Sequence, residues 1–192
     1  MIKALSNISG YILMGGRSRR LGLDKAWIEV DGMPLWRRTS WIARGEVGSK
    51  PILVGDSLAP DKHQGFGLLR DAKPGKGPLG GLVSALRNCK KEWALVLAVD
   101  LPLMQAPDLR RLLSTRRGNY DIITLSADGR VEPLAALYRK PTLEFWEDRL
   151  KRNELSLHEG IDQLAWKLVR LPKGSRALFN LNVPEDVEKL MG

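Results

Sequence analysis

A chain of 192 residues suits one domain and can bury roughly 70% of the surface its unfolded form exposes, while its single cysteine, Cys89, leaves no internal disulfide. Thirty-one Lys and Arg against 22 Asp and Glu give a net charge of +9, but the cations are dispersed at helical spacing with no RNP-type aromatic cluster, so no nucleic-acid partner is predicted. Two histidines and one thiol are too few for a structural zinc cluster, no apolar run approaches the roughly 20 residues that cross a bilayer, and polar Ser6, Asn7 and Ser9 stand where a secretory leader would be apolar; a soluble, cytoplasmic protein without a membrane partner is expected.

In chain order, Tyr11 to Met14 reads as a buried strand, followed by a glycine-rich loop, an alternating strand at Trp27 to Val30 and a turn at Asp31-Gly32. Pro34 to Arg44 reads as a helix with proline in its first turn and Leu35, Thr39 and Ile42 facing inward. Short strands are expected at Pro51 to Val54 and Gly67 to Arg70. Gly77-Pro78 opens a helix carrying Leu82, Val83 and Leu86. Trp93 to Val99, the most apolar run in the chain, is expected to be a central strand. The remainder reads as a helix at Pro107 to Thr115, strands at Asp121 to Leu125 and Pro133 to Tyr138, a helix at Pro141 to Leu150, a short helix near Leu157, a strand at Lys167 to Leu171 and a closing helix from Pro184. Such alternation predicts an α/β layer fold with a mostly parallel sheet.

The stretch from Leu13 to Lys25 places three glycines and four cations directly behind the first strand. Glycines let backbone N–H groups converge on an oxyanion without an intervening Cβ, and the cations complete its neutralisation. The loop is not a Walker A sequence, because the only Gly-Lys pair, Gly75-Lys76, is followed by Gly77. Gly15, Gly16, Arg20, Gly22, Asp24 and Lys25 instead resemble the signature G-G-x-S-x-R-x-G-x-D-K of small nucleotidyltransferases. Within them the nearest likeness is the MobA-like, molybdenum cofactor guanylyltransferase family.

Ligands of doubly wound sheets gather at the carboxyl ends of the strands. Asp100 terminates the run Leu97-Ala98-Val99 and is followed by Leu101-Pro102, while Asp71 closes Leu68-Leu69-Arg70. A buried carboxylate demands a cation, and Mg²⁺ is the natural one for phosphate chemistry. The resemblance implies that Asp100 holds the metal and that Asp71 is a second acid near the nucleotide. A rival stands at Gly75-Lys76-Gly77-Pro78-Leu79-Gly80, which satisfies G-x-G-x-x-G with Asp100 twenty residues beyond. Ala72-Lys73-Pro74 separate that motif from its strand, and Gly77-Pro78-Leu79-Gly80-Gly81 also resembles the family's G-P-L-x-G loop at the nucleotide pocket.

Near the end of the chain, Asn180-Leu181-Asn182-Val183-Pro184-Glu185-Asp186 resembles the family segment N-x-N-T-P-E-[DE]. Val183 replaces the usual threonine cap. The resemblance assigns Asn180 and Asn182 to the acceptor side. For the nucleotide it implies Leu13, Met14, Gly15, Gly16, Lys25, Asp71, Gly77, Pro78, Leu79 and Asp100.

The implied reaction is attack of the phosphate of molybdenum-loaded molybdopterin on the α-phosphorus of GTP, with release of pyrophosphate. Arg20, Lys25 and Asp100, with Mg²⁺, are its expected catalytic groups. Molybdopterin-handling proteins are possible partners. Two departures bear on specificity: Val54-Gly55-Asp56-Ser57 where the best-known relatives are Asn-rich, and Glu132-Pro133-Leu134 where some carry His-Pro-Thr. A cytidylyltransferase for the same cofactor, a guanylyltransferase for another phosphorylated acceptor, and a non-catalytic GTP-binding module are the alternatives.

Overall fold

The computed structural model describes residues 7–15, 24–55, 58, 61–63, 65–71, 73–181 and 186. They form β1 (Ile8–Leu13), β2 (Glu29–Val30), β3 (Met33–Pro34), α1 (Leu35–Val47), β4 (Ile52–Val54), β5 (Gly67–Leu69), α2 (Gly77–Asn88), β6 (Trp93–Ala98), α3 (Ala106–Ser114), β7 (Ile122–Ala127), β8 (Arg130–Arg139), α4 (Leu143–Lys151), α5 (Leu157–Ile161) and β9 (Trp166–Arg170). Seven strands make one sheet in the order β5-β4-β1-β6-β8-β7-β9, and β2 and β3 form a separate two-residue hairpin. The sheet is mostly parallel, as expected. Only β8 runs against its neighbours β6 and β7.

Near-continuous apolar runs reflect burial on both faces, which parallel strands flanked by helices require. All six residues of β6 are buried, which fits its central place. Side chains alternate between the two layers. Ile12, Leu53, Leu95 and Leu97 pack with Leu35, Ala43, Leu109 and Leu112 of α1 and α3. Tyr11, Leu13, Ala94 and Val96 pack on the other face with Leu82, Leu86, Trp146 and Leu150 of α2 and α4.

Several boundaries differ from the sequence reading for identifiable reasons. The stretch expected as a strand at Trp27 to Val30 is a 3₁₀ turn at Lys25–Trp27 followed by the short β2, because the Asp24 side chain accepts from Ala26 N at 3.1 Å and closes the turn. Helix α1 runs through Val47 and stops at Gly48, whose left-handed backbone caps it. Its inward face is Leu35, Trp36, Thr39, Ser40, Ala43 and Val47, with Ile42 only half-buried. Strand β8 is longer than expected, starting at Arg130, and its register with β7 shifts between Thr124 and Leu125. The closing helix from Pro184 lies outside the described residues apart from Asp186.

The chain steps outward from β1 through α1 to β4, then returns from β5 through α2 to β6 on β1's other side. The strand order therefore reverses between β1 and β6. That switch point opens a crevice at the carboxyl ends of both strands. Leu13, Val54, Leu69 and Ala98 end level there, since Leu13 pairs in register with Val54 and Ala98, and Val54 with Leu69.

Candidate active site

Gly15, Gly55, Asp71 and Asp100 all lie just beyond those level strand ends. The chain leaves β1 through Gly15 at φ 76°, a left-handed conformation that a Cβ disfavours. The loops are laced together by backbone bonds: Met14 N donates to Val54 O at 2.8 Å, Gly55 N to Leu69 O at 3.0 Å, and Val99 N to Leu13 O at 3.0 Å. Met14 N is thus already engaged. The side chains of Leu13, Met14 and Leu79, assigned by resemblance to the nucleotide, are buried in the core.

Across the switch point, Lys25 Nζ lies 3.1 Å from Asp100 Oδ2, with the two side chains 14% and 22% exposed. Each partner is held from behind. Asp24 closes the turn that carries Lys25, and Arg38 Nε of α1 donates to Pro102 O at 2.9 Å, pinning the turn after Asp100. Both side chains keep some exposure to solvent. A cation and a carboxylate so placed can screen phosphates and, through the carboxylate, hold a divalent metal.

Asp71 and the start of α2 complete another wall. An added Cβ at Gly81 would stand 3.1 Å from Leu13 Cδ2 and 3.5 Å from Asp71 Oδ1, so the missing side chain lets α2 approach both the end of β1 and this acid. Gly77 and Pro78 form the first turn of α2, whose Lys76 cap supplies no side-chain bond. Seven residues separate the end of β5 at Leu69 from that helix. The dinucleotide motif wants its first glycine at the strand end, so this spacing disfavours the rival reading of Gly75 to Gly80.

The segment expected on the acceptor side also arrives at this rim. Leu181 N donates to Asp100 O at 3.1 Å, and Asn180 Nδ2 donates to Glu132 Oε2 at 3.3 Å. Glu132 is brought here because β8 is reversed: its early residues lie beside the carboxyl end of β6, where Leu97 pairs with Ala135. In the sequence, Glu132 stands out only as a departure from His-Pro-Thr. A carboxylate within the apolar run Val131 to Leu134, just before a proline, was the available signal. Gly16, Arg20 and Asn182 lie outside the described residues.

Among the described residues no three His, Cys, Asp or Glu side chains cluster as a ready metal cage. Magnesium does not need one, since it binds through one or two carboxylates with substrate phosphates and water supplying the other oxygens. Asp100, with Oδ2 on Lys25, fits that role through its other oxygen. No helix among the described residues is long and apolar enough to cross a membrane.

The model of the MobA-like NTP transferase domain matches residues 10–164. The chain belongs to the MobA-like NTP transferase family. Among curated relatives, this MobA-like chain is 34% identical to a protein of Opitutus terrae and 31% identical to one of Carboxydothermus hydrogenoformans, each named "Probable molybdenum cofactor guanylyltransferase". The matches cover 96% and 97% of this chain and 95% and 96% of those proteins respectively. Its fold is that of the molybdopterin-guanine dinucleotide biosynthesis protein A of Archaeoglobus fulgidus, with a TM-score of 0.79 at 20% identity over 95% of this chain and 96% of the other. It is also that of the 2-C-methyl-D-erythritol 4-phosphate cytidylyltransferase of Thermus thermophilus, with a TM-score of 0.66 at 17% identity over 95% and 96%.

Proposed function

We propose that the protein transfers GMP from GTP to the phosphate of molybdenum-loaded molybdopterin and releases pyrophosphate. The observation that carries this reading is the Lys25–Asp100 pair, set at the switch point beside the turn at Gly15. The names of the relatives supply the acceptor and the base.

The chemistry asks for charge and position. Two anions brought to about 4 Å repel by about 4 kcal/mol per charge pair at an effective dielectric of about 20, so cations must accompany the phosphates. Lys25 supplies one at the switch point, and Arg20 is assigned a second. Asp100 would hold Mg²⁺, which supplies Lewis-acid polarisation of the phosphates when bound. Gly15 and Gly16 are assigned to cradle the phosphates with their backbone amides, and Asp71 with Gly77 and Pro78 at the first turn of α2 to bound the nucleotide. An acceptor phosphate oxygen forms the new bond to the α-phosphorus as the bond to the β-phosphate's bridging oxygen breaks. The nucleophile is already anionic, so no residue has to remove a proton from it. Asn180 and Asn182 are assigned to the acceptor.

The test is pyrophosphate release by the full chain given molybdenum-loaded molybdopterin, Mg²⁺ and each of GTP, CTP, ATP and UTP. Release with GTP alone that requires both metal and acceptor supports the proposal. Release with CTP alone reassigns the base, and release with none rejects transfer.

A further inference from the structure

Glu132 is a buried carboxylate, 7% exposed, that the proposed chemistry does not use. Three donors converge on it: Leu134 N lies 3.2 Å from Oε1, while Asn180 Nδ2 and Arg130 Nη2 lie 3.3 and 3.4 Å from Oε2. An ionised carboxylate only accepts, so it must meet the NH₂ end of the Asn180 carboxamide. The opposite end, Asn180 Oδ1, is buried and has no hydrogen-bond partner among the described residues. The next residue is bonded to Asp100 O through Leu181 N, so the segment is tied both to the metal-holding strand end and to Glu132. A buried acceptor left unpaired is unfavourable until a donor reaches it.

We propose that Glu132 is a positioning residue: by accepting from Nδ2 it fixes the Asn180 carboxamide with Oδ1 presented to an N–H or O–H donor of the acceptor substrate. This rests on the nucleotidyl-transfer reading and adds to it the group that decides how the acceptor is gripped. The carboxylate acts through Asn180 and touches neither phosphate nor metal.

The full chain is compared as wild type, as Glu132→Gln, as Asn180→Asp and as the double variant, with kcat and separate KM values for GTP and molybdopterin, and with melting temperature as a control. In Glu132→Gln the new amide donates toward residue 180 and turns its carboxamide over, so the KM for molybdopterin rises about tenfold while the KM for GTP is unchanged. Asn180→Asp sets two carboxylates against each other and raises the molybdopterin KM at least as much. The double variant brings it back to within about threefold of wild type, because an aspartate accepts from the new amide with one oxygen and offers the other. An unchanged molybdopterin KM in folded Glu132→Gln overturns the proposal, as does a folded double variant no better than the worse single one.

Should Glu132→Gln fail to fold, the wild-type protein decides: the Asn180 side-chain NH₂ resonance shifts on adding molybdopterin without GTP, and an unmoved resonance at saturation overturns the proposal. Absence of wild-type turnover strikes the underlying reading and takes this inference with it. Turnover with unaltered acceptor affinity in the variants strikes the inference alone.

Discussion

Lys25 Nζ and Asp100 Oδ2, 75 residues apart in sequence, stand 3.1 Å from each other across the switch point between β1 and β6. Both side chains retain solvent contact, so the ion pair contributes at most about 1 kcal/mol to stability. Its value to catalysis is expected to be far larger. Asp100→Ala is expected to leave the melting temperature within a few degrees of wild type while lowering pyrophosphate release by at least about 10²-fold, the scale on which loss of one preorganised electrostatic group is felt. Wild-type turnover in that variant would remove Asp100 from the mechanism.

Lys25 is aimed by the carboxylate of its predecessor. Asp24→Ala removes the acceptor of Ala26 N and is expected to cost about 1 kcal/mol, as loss of a cap does, and to raise the KM for GTP several-fold by loosening Lys25. Asp24→Asn keeps an acceptor oxygen and is expected to stay near wild type in both melting temperature and KM. Equal behaviour of the two variants would show that the capping bond does not position Lys25.

Far from the crevice, Gly160 in α5 faces the fully buried Trp146. A Cβ there would stand 2.6 Å from Trp146 Cη2 and 3.0 Å from Arg149 Nε, in a layer with no room to give. Gly160→Ala is expected to destabilise the fold by about 1–3 kcal/mol, with KM values unchanged for the folded fraction. Chemical denaturation followed by far-UV circular dichroism measures the difference.

Two of the three tyrosines link folding to alkaline pH. Burial pushes the Tyr11 phenol well above its ordinary value, with Cys89 adding to the effect, and burial with the nearby Glu132 carboxylate does the same for Tyr138. Each hydroxyl donates a hydrogen bond, to Asn88 Oδ1 at 3.1 Å and to Pro133 O at 2.8 Å. The folded state therefore favours the protonated phenols. Their contribution is complete below the unfolded value near about pH 10 and declines as pH rises through and beyond it. Phenolate absorbance and circular dichroism, followed together, are expected to show these two tyrosines ionising only as the fold is lost. Complete ionisation of all three in a chain that keeps its helical signal would contradict this.

Much of the molecule is legible in sequence because parallel strands buried on both faces announce themselves as apolar runs, and Asp100 shows where the central run must meet solvent. Direction is not legible in the same way. The run Pro133 to Tyr138 is equally apolar whichever way it points, so nothing local reveals that β8 is reversed and delivers Glu132 to the crevice. The short 3₁₀ turn at Lys25 escaped because Trp27 to Val30 alternates like a strand, and the competing bond is a side-chain cap only one residue before the turn. The meeting of Lys25 with Asp100, and of Asn180 with Glu132, depends on strand order, which composition and periodicity do not specify.

Strand β6 is inserted between β1 and β8, pairing with Ile8 to Leu13 across its whole length. During synthesis on the ribosome, β1, α1, β4 and β5 emerge well before it and leave one side of β1 as a bare edge, a surface that invites mispairing. Only when Trp93 to Ala98 slots in is that edge covered, and the same event carries Asp100 to Lys25. The bare edge then passes to β6, and it stays open until Arg130 to Arg139 has been made and β8 pairs along it.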